Sequence, residues 1–295
     1  MNAHAGTPGN QRGGRYRPRH LLHVGAMAML ATLTTGCGGG NDSEPAVTTM
    51  AASNARFSRA ATLSINGRNL RAGIVVDMEG GCENLTLVAN GTEDLQQYTC
   101  DVLAVGEFKA HVHTTDGRFL GRLTFQVPLP EVSMTTSLGN FVLELDPVAA
   151  PATVRNFLGY VNAGFYRNVI FHRVIAETLV QSGGYTAGPV VKPPTAPPIK
   201  LESNNGLKNV RGSIGAARTS EPDSARAQWY VNVGDNPGFD YVDADQPGYA
   251  VFGRVTSGIE TIDAISAVET RTDPVSGLDD LPVSDILVLT ATQTR

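Results

Sequence analysis

From Ala60 onward the chain alternates apolar and polar positions in short runs separated by turn-forming residues. Leu63 and Ile65 alternate ahead of Asn66-Gly67, Ile74-Val75-Val76 leads to Gly80-Gly81, and Leu85 and Leu87 precede Asn90-Gly91. Phe108, Ala110 and Val112 alternate before Asp116-Gly117, followed by Leu123, Phe125 and Val127. Successive side chains of a strand point to opposite faces, so this two-residue period predicts strands with one buried face. Their regular spacing, with glycine turns between them, predicts a small β-sandwich over residues 56–130. The small, polar stretch before it, up to residue 55, reads as a linker. Pro128-Leu129-Pro130 ends the pattern with a stiff, extended connector.

A different pattern follows over residues 131–295. Val132 to Leu145 reads as a strand pair turning at Leu138-Gly139-Asn140. Pro151 can open a helix at its first position, Val154, Phe157, Leu158 and Val161 form its apolar stripe, and Gly164 ends it. Ser257-Gly258-Ile259-Glu260 has the form of a capping box for a second helix, with Ile259, Ile262 and Ile265 on its inner face. Two helices among many strands predict a closed antiparallel β-barrel with a helix over each opening. The fold class is therefore mainly β: a barrel of this kind preceded by a sandwich that resembles an immunoglobulin domain in a loose sense.

Charge and cysteine usage narrow the partners. The 23 basic and 28 acidic residues give a formal charge of −5, but Arg12, Arg15, Arg17 and Arg19 all precede residue 37. Without that segment 19 basic and 28 acidic residues remain, and the absence of a basic patch excludes a nucleic-acid binder. The basic start, the apolar run from Val24 to Leu33 and the small residues up to Gly36 read as an export signal over residues 1–36. That run is short of the roughly 20 residues a membrane-spanning helix needs. Leu33-Thr34-Thr35-Gly36-Cys37 resembles a bacterial lipoprotein signal, in which the cysteine carries lipid; it departs from the usual pattern at Thr34, where leucine is preferred. A plain signal cleaved near Gly36 is the alternative. The Gly38-Gly39-Gly40-Asn41-Asp42-Ser43 tether suits an anchor. Gly38, rather than aspartate after the cysteine, points to the outer membrane of a cell envelope by analogy with such lipoproteins.

Setting Cys37 aside leaves Cys82 and Cys100, an even pair in an exported, oxidising setting, read as a disulfide between neighbouring strands. A metal reading lacks further ligands nearby. His111 and His113 share one strand face, but two histidines make a weak metal site and read as surface residues.

Chemistry enters with a series of motifs. Asn168-Val169-Ile170-Phe171-His172-Arg173-Val174-Ile175 is followed by Val180-Gln181-Ser182-Gly183-Gly184 and by Gly212-Ser213-Ile214-Gly215-Ala216-Ala217-Arg218. Gln228-Trp229-Tyr230-Val231-Asn232 and Tyr249-Ala250-Val251-Phe252-Gly253-Arg254-Val255 complete it. With the segments at Leu138–Leu145 and Pro151–Phe157, this order resembles the cyclophilin-type peptidyl-prolyl isomerases over residues 131 to 293. Pro197-Pro198-Ile199 and Asn205-Gly206-Leu207-Lys208-Asn209 look most like the exported bacterial branch.

The resemblance implies cis-trans isomerisation of X-Pro bonds in exported polypeptides, by a monomer without metal or other cofactor. It implies Arg173 as the catalytic donor and Gln181 as the residue that holds the substrate backbone and orients Arg173. Substrate contacts would come from Phe171, Thr178, Leu179, Ala217, Tyr230, Phe239 and Tyr249, while His172 is read as a packed structural residue. The family commonly has Phe and Met where Thr178 and Leu179 stand, so apolar cover over the proline ring is expected to be reduced. Its aromatic at the pocket mouth is replaced by Gly238, with Phe239 next, which predicts weak binding of the cyclic peptide cyclosporin. A binding module that holds Pro-containing segments with little turnover is the alternative. Asp243-Ala244-Asp245-Gln246-Pro247-Gly248 fails as a calcium loop at Pro247 and Arg254 and reads as a turn. No serine has the flanking glycines of a hydrolase elbow.

Overall fold

Most apolar runs that alternate in the sequence bury one face in the computed structural model, which describes residues 44–295 apart from residue 90, but Leu87 of the Leu85–Leu87 run stays exposed. The export segment, Cys37 and Asn90 lie outside the described residues. The first strands are β1 (Ala46–Ser53), β2 (Ala60–Arg68), β3 (Ile74–Glu79) and β4 (Cys82–Leu87). They are followed by β5 (Leu95–Val102), β6 (Gly106–Thr114) and β7 (Phe119–Val127). They form two antiparallel sheets, one ordered β1-β2-β5-β4 and one ordered β3-β6-β7. Leu63 and Ile65 of the first sheet and Phe108, Ala110, Val112, Leu123 and Phe125 of the second are buried in the apolar core.

Two local expectations are corrected here. Residues 46–53, read as part of the linker, form β1, because Met50 and Ala52 bury against the core and the backbone pairs with β2. Asn66-Gly67 does not end β2: Gly67 lies opposite Val47, and a Cβ there would collide with the Ala46 carbonyl oxygen. The chain turns instead at Leu70–Ala72. Cys82 and Cys100, on the adjacent strands β4 and β5, are joined in a disulfide with Cα atoms 5.5 Å apart. His111 and His113 lie on the outer face, with His111 Nε2 3.5 Å from Glu79 and His113 Nε2 3.9 Å from Asp77.

The remaining strands are β8 (Glu131–Thr136), β9 (Gly139–Leu145), β10 (Val169–Ile175), β11 (Leu179–Thr186), β12 (Val190–Val191), β13 (Ser213–Ala216) and β14 (Trp229–Asn232). They end with β15 (Val251–Ser257), β16 (Thr270–Arg271), β17 (Leu281–Pro282) and β18 (Leu287–Gln293). The order β10-β18-β8-β9-β15-β13-β14-β11 returns to β10 through the β10–β11 pairing, closing an eight-stranded antiparallel barrel. Closure leaves no unpaired edge among these eight strands. Inside, Trp229 meets Phe171, Phe157, Tyr166 and Phe141 at ring-centroid distances of 5.7 to 6.4 Å.

Helices α1 (Pro151–Asn162) and α2 (Ile259–Ser266) pack on the barrel. The first amides of α1 lack intrahelical acceptors, and Glu202 supplies them, accepting from the Ala152 and Thr153 N–H groups at 3.0 and 2.8 Å. Gly164 follows α1 with φ of 68°, as the glycine stop predicts. The capping box at α2 does not form. Gly258, at φ of 78°, occupies the cap position without a side-chain hydrogen bond. The Asn140 carbonyl comes so close that any Cβ there would collide with it.

Gln293, nearly fully buried, ties the two halves of the chain together: it donates to the Phe57 carbonyl oxygen at 3.0 Å and accepts from Asn162 at 3.0 Å.

Candidate active site

Arg173 and His172 of β10 both border a cleft at the barrel surface, and Arg173 is the one exposed residue of the strand, flanked by the buried His172 and Val174. Across the β10–β11 ladder its Cα partner is Gln181. These two residues and Leu179 form one wall of a cleft of about 530 Å³. Ala217 and Arg218, beyond the end of β13, Gln228 and Tyr230 around β14, and Phe239 and Tyr249 form the rest of its floor and far side. Gly277, Leu278 and Asp279 close the remaining side.

The floor is aromatic and fixed. Tyr230, Phe239 and Tyr249 contact one another edge to face at centroid distances of 5.4 to 6.1 Å. The Tyr230 hydroxyl donates to Asn209 Oδ1 at 2.6 Å, which holds the ring from behind. Burial, and then the nearby Tyr249 and Asp240, push the Tyr230 phenol far above its ordinary range, so it stays neutral. The Arg218 guanidinium lies 4.7 Å from the centre of the Tyr249 ring and donates through Nε to the Gly248 carbonyl oxygen.

Of the residues expected here, Arg173, Gln181, Leu179, Ala217, Tyr230, Phe239 and Tyr249 converge on the cleft. Phe171 and Thr178 do not. Phe171 is fully buried against Trp229, and the β10–β11 register shifts between it and Arg173, so the two do not share a face. Thr178 stays in the β10–β11 turn, its hydroxyl bonded to the Ala176 carbonyl oxygen at 3.3 Å, and is not among the lining residues. The expected role of Gln181 in orienting Arg173 also changes: its amide donates to Gln228 Oε1 at 2.8 Å. Arg173 instead pairs through Nε with Asp280, 3.7 Å away. Sequence reading missed Tyr185, Gln228, Arg218 and the 277–280 segment. Gln228 and Arg218 lie within the motifs around Trp229 and Gly215, whereas the loop carries no apolar period that would signal it.

His172 is 3% exposed, contacts Tyr185 at a tilt of 47° with ring centroids 4.7 Å apart, and leaves Nδ1 without a hydrogen-bond partner. Burial is the main reason its pKa falls from 6.5 to about 4, with Gln228 opposing the fall. A folded-state pKa below the unfolded one means the unfolded chain takes up the proton first as pH falls below about 6.5. Stability is therefore lost as pH drops from there towards about 4. Between about pH 7 and about pH 5 the His172 contribution to unfolding free energy is expected to fall by about 2 kcal/mol. Denaturant unfolding of wild type and His172→Gln at both pH values checks this; an equal pH slope in the two proteins contradicts it.

Residues 131–293 match the family described as "Cyclophilin type peptidyl-prolyl cis-trans isomerase/CLD". The chain is 48% identical over 160 residues to peptidyl-prolyl cis-trans isomerase A of Dickeya dadantii, an alignment covering 54% of this chain and 82% of the relative. It is 43% identical over 162 residues to the isomerase cyp18 of Streptomyces antibioticus, covering 54% and 96% of the two chains. Identity to peptidyl-prolyl cis-trans isomerase B of Escherichia coli is 42% over 164 residues, covering 55% and 98%. A closed eight-stranded barrel with two helices and an arginine-lined aromatic cleft defines a class of fold and site that agrees with these matches. The chain belongs to the cyclophilin-type peptidyl-prolyl cis-trans isomerases.

Proposed function

We propose that this protein catalyses cis-trans isomerisation of X-Pro bonds in polypeptides, with Arg173 as the group that stabilises the twisted amide. The barrier of about 18–20 kcal/mol comes from lost amide resonance. No bond to carbon is broken, so the protein needs only to bind the twisted state better than the planar one. As conjugation is lost the prolyl nitrogen regains a lone pair that can accept a hydrogen bond. A guanidinium suits this, because it stays charged and presents its donors in a fixed fork. The observation that carries the reading is Arg173 at the lip of a cleft floored by Tyr230, Phe239 and Tyr249, which offers an apolar face for the proline ring beside a charged donor. Leu179 and Ala217 complete that apolar surface. In this reading Gln181, whose amide is bonded to Gln228 beside the cleft, holds the substrate backbone.

Refolding of an unfolded protein whose slow phase is a prolyl isomerisation tests the polypeptide reading. Catalytic amounts of this protein are expected to shorten that phase; an unchanged phase contradicts the reading. The alternative, a module that holds Pro-containing segments with little turnover, draws support from Thr178, since the β10–β11 turn adds no aromatic cover to the cleft.

The proposal extends to the cell envelope, where the clients would be exported polypeptides, and treats residues before Glu131 as an accessory unit. The support lies in the sequence: an export signal, Cys37 with its glycine tether, and Cys82 and Cys100 suited to an oxidising compartment. No helix among the described residues is long and apolar enough to cross a membrane. Radiolabelled fatty acid is expected to enter the wild-type protein and not a Cys37→Ala variant. Equal labelling of the two, or none in either, rules the anchor out.

A further inference from the structure

The segment from Thr272 to Asp280 is tied down at several points. The Asp273 carboxylate accepts from the Ser276 N–H and hydroxyl at 2.8 and 2.7 Å, and the Asp273 N–H donates to the Leu278 carbonyl oxygen at 2.8 Å. Thr272 donates to Asp279 Oδ1 at 2.9 Å. The short β16–β17 ladder pairs Arg271 with Leu281 and Thr270 with Pro282, closing the segment at its base. Its last residue is joined to the catalytic strand: the Val174 N–H donates to the Asp280 carbonyl oxygen at 2.8 Å. Asp280 adopts a φ of 56°, a conformation few residue types other than glycine, asparagine and aspartate accept readily. Its carboxylate lies 3.7 Å from Arg173 Nε, with the two side chains 39% and 47% exposed.

We propose that Asp280 is a positioning residue for Arg173, an inference that rests on the functional reading above. A long arginine side chain at a cleft mouth samples many rotamers, and each non-productive one dilutes the donor. A carboxylate anchored to the backbone of the same strand restricts Nε and leaves the terminal nitrogens for the substrate. Gln181 does not do this in the present chain, since its amide is engaged by Gln228. Asp279 is tied to Thr272, which leaves Asp280 as the carboxylate held against Arg173.

The test is a double-mutant cycle with isomerisation of a Pro peptide as readout. Asp280→Asn is the informative change because asparagine tolerates the same φ and retains the backbone bond to Val174. An exposed ion pair is a modest contributor, so kcat is expected to fall about three- to tenfold with KM nearly unchanged. The difference should shrink at high salt. In an Arg173→Ala background the same change is expected to have no further effect. Equal losses in both backgrounds would assign Asp280 a general structural role and overturn the proposal. Full loss in Arg173→Ala beside wild-type kinetics in Asp280→Asn overturns this proposal alone. Wild-type kinetics in Arg173→Ala overturns the functional reading and this proposal together.

Discussion

Replacing Arg173 with alanine is expected to lower kcat for X-Pro isomerisation by about 10²–10³, with a much smaller change in KM. The argument follows from when the donor acts. In the planar ground state the prolyl nitrogen has no lone pair to offer, so Arg173 contributes little to binding. Near the twisted state the nitrogen accepts a hydrogen bond, and a charged, preorganised donor is then worth roughly 3–4 kcal/mol. An interaction made only in the transition state appears in kcat and in kcat/KM alike. Tyr230, Phe239 and Tyr249 remain in the variant, so peptide affinity is expected to survive. Steady-state kinetics over a range of peptide concentrations separates the two parameters. A variant with raised KM and unchanged kcat would make Arg173 a binding residue only.

The second large effect concerns stability. A Cys82→Ala, Cys100→Ala double variant is expected to lose about 3 kcal/mol of unfolding free energy, from the loop-closure entropy that the bridge removes from the unfolded chain. Both cysteines are buried, so the alanines also leave lost packing behind them. The bridge joins β4 to β5, and none of the cleft-lining residues comes from those strands. Isomerase kinetics at a temperature where the variant is still folded should therefore match wild type. Denaturant titration measures the first quantity; unchanged stability on losing both cysteines, or free thiols in the oxidised wild type, contradicts the account.

Much of the barrel is legible because its residues obey two simple periods. The stripe of Val154, Phe157, Leu158 and Val161 becomes the buried face of α1, and the residues proposed from the motifs around Arg173 largely meet in one cleft. The misses have particular causes. Phe171 and Arg173 are two residues apart on β10, yet a shift in the β10–β11 register lies between them, and Phe171 turns into the core. Strict alternation cannot show such an irregularity. β1 is mostly small and polar residues, with Met50 its one large buried side chain, so its own pattern is too weak to show a strand that pairing with β2 completes. The loop at 277–280 is joined to distant backbone by one hydrogen bond, from the Val174 N–H to the Asp280 carbonyl oxygen, and its own composition looks like an ordinary turn.

Catalysis and mere holding of the substrate differ in one observable, the rate at which a bound proline peptide exchanges its isomers. Exchange spectroscopy on an Ala-Pro peptide at equilibrium reads that rate directly, with no metal or other cofactor added. Without protein the exchange takes roughly tens to hundreds of seconds. With a small fraction of the wild-type protein the account predicts exchange on a timescale of about a second or less, rising in proportion to protein concentration. Peptide signals that shift on binding while cis-trans exchange stays as slow as in buffer would contradict it.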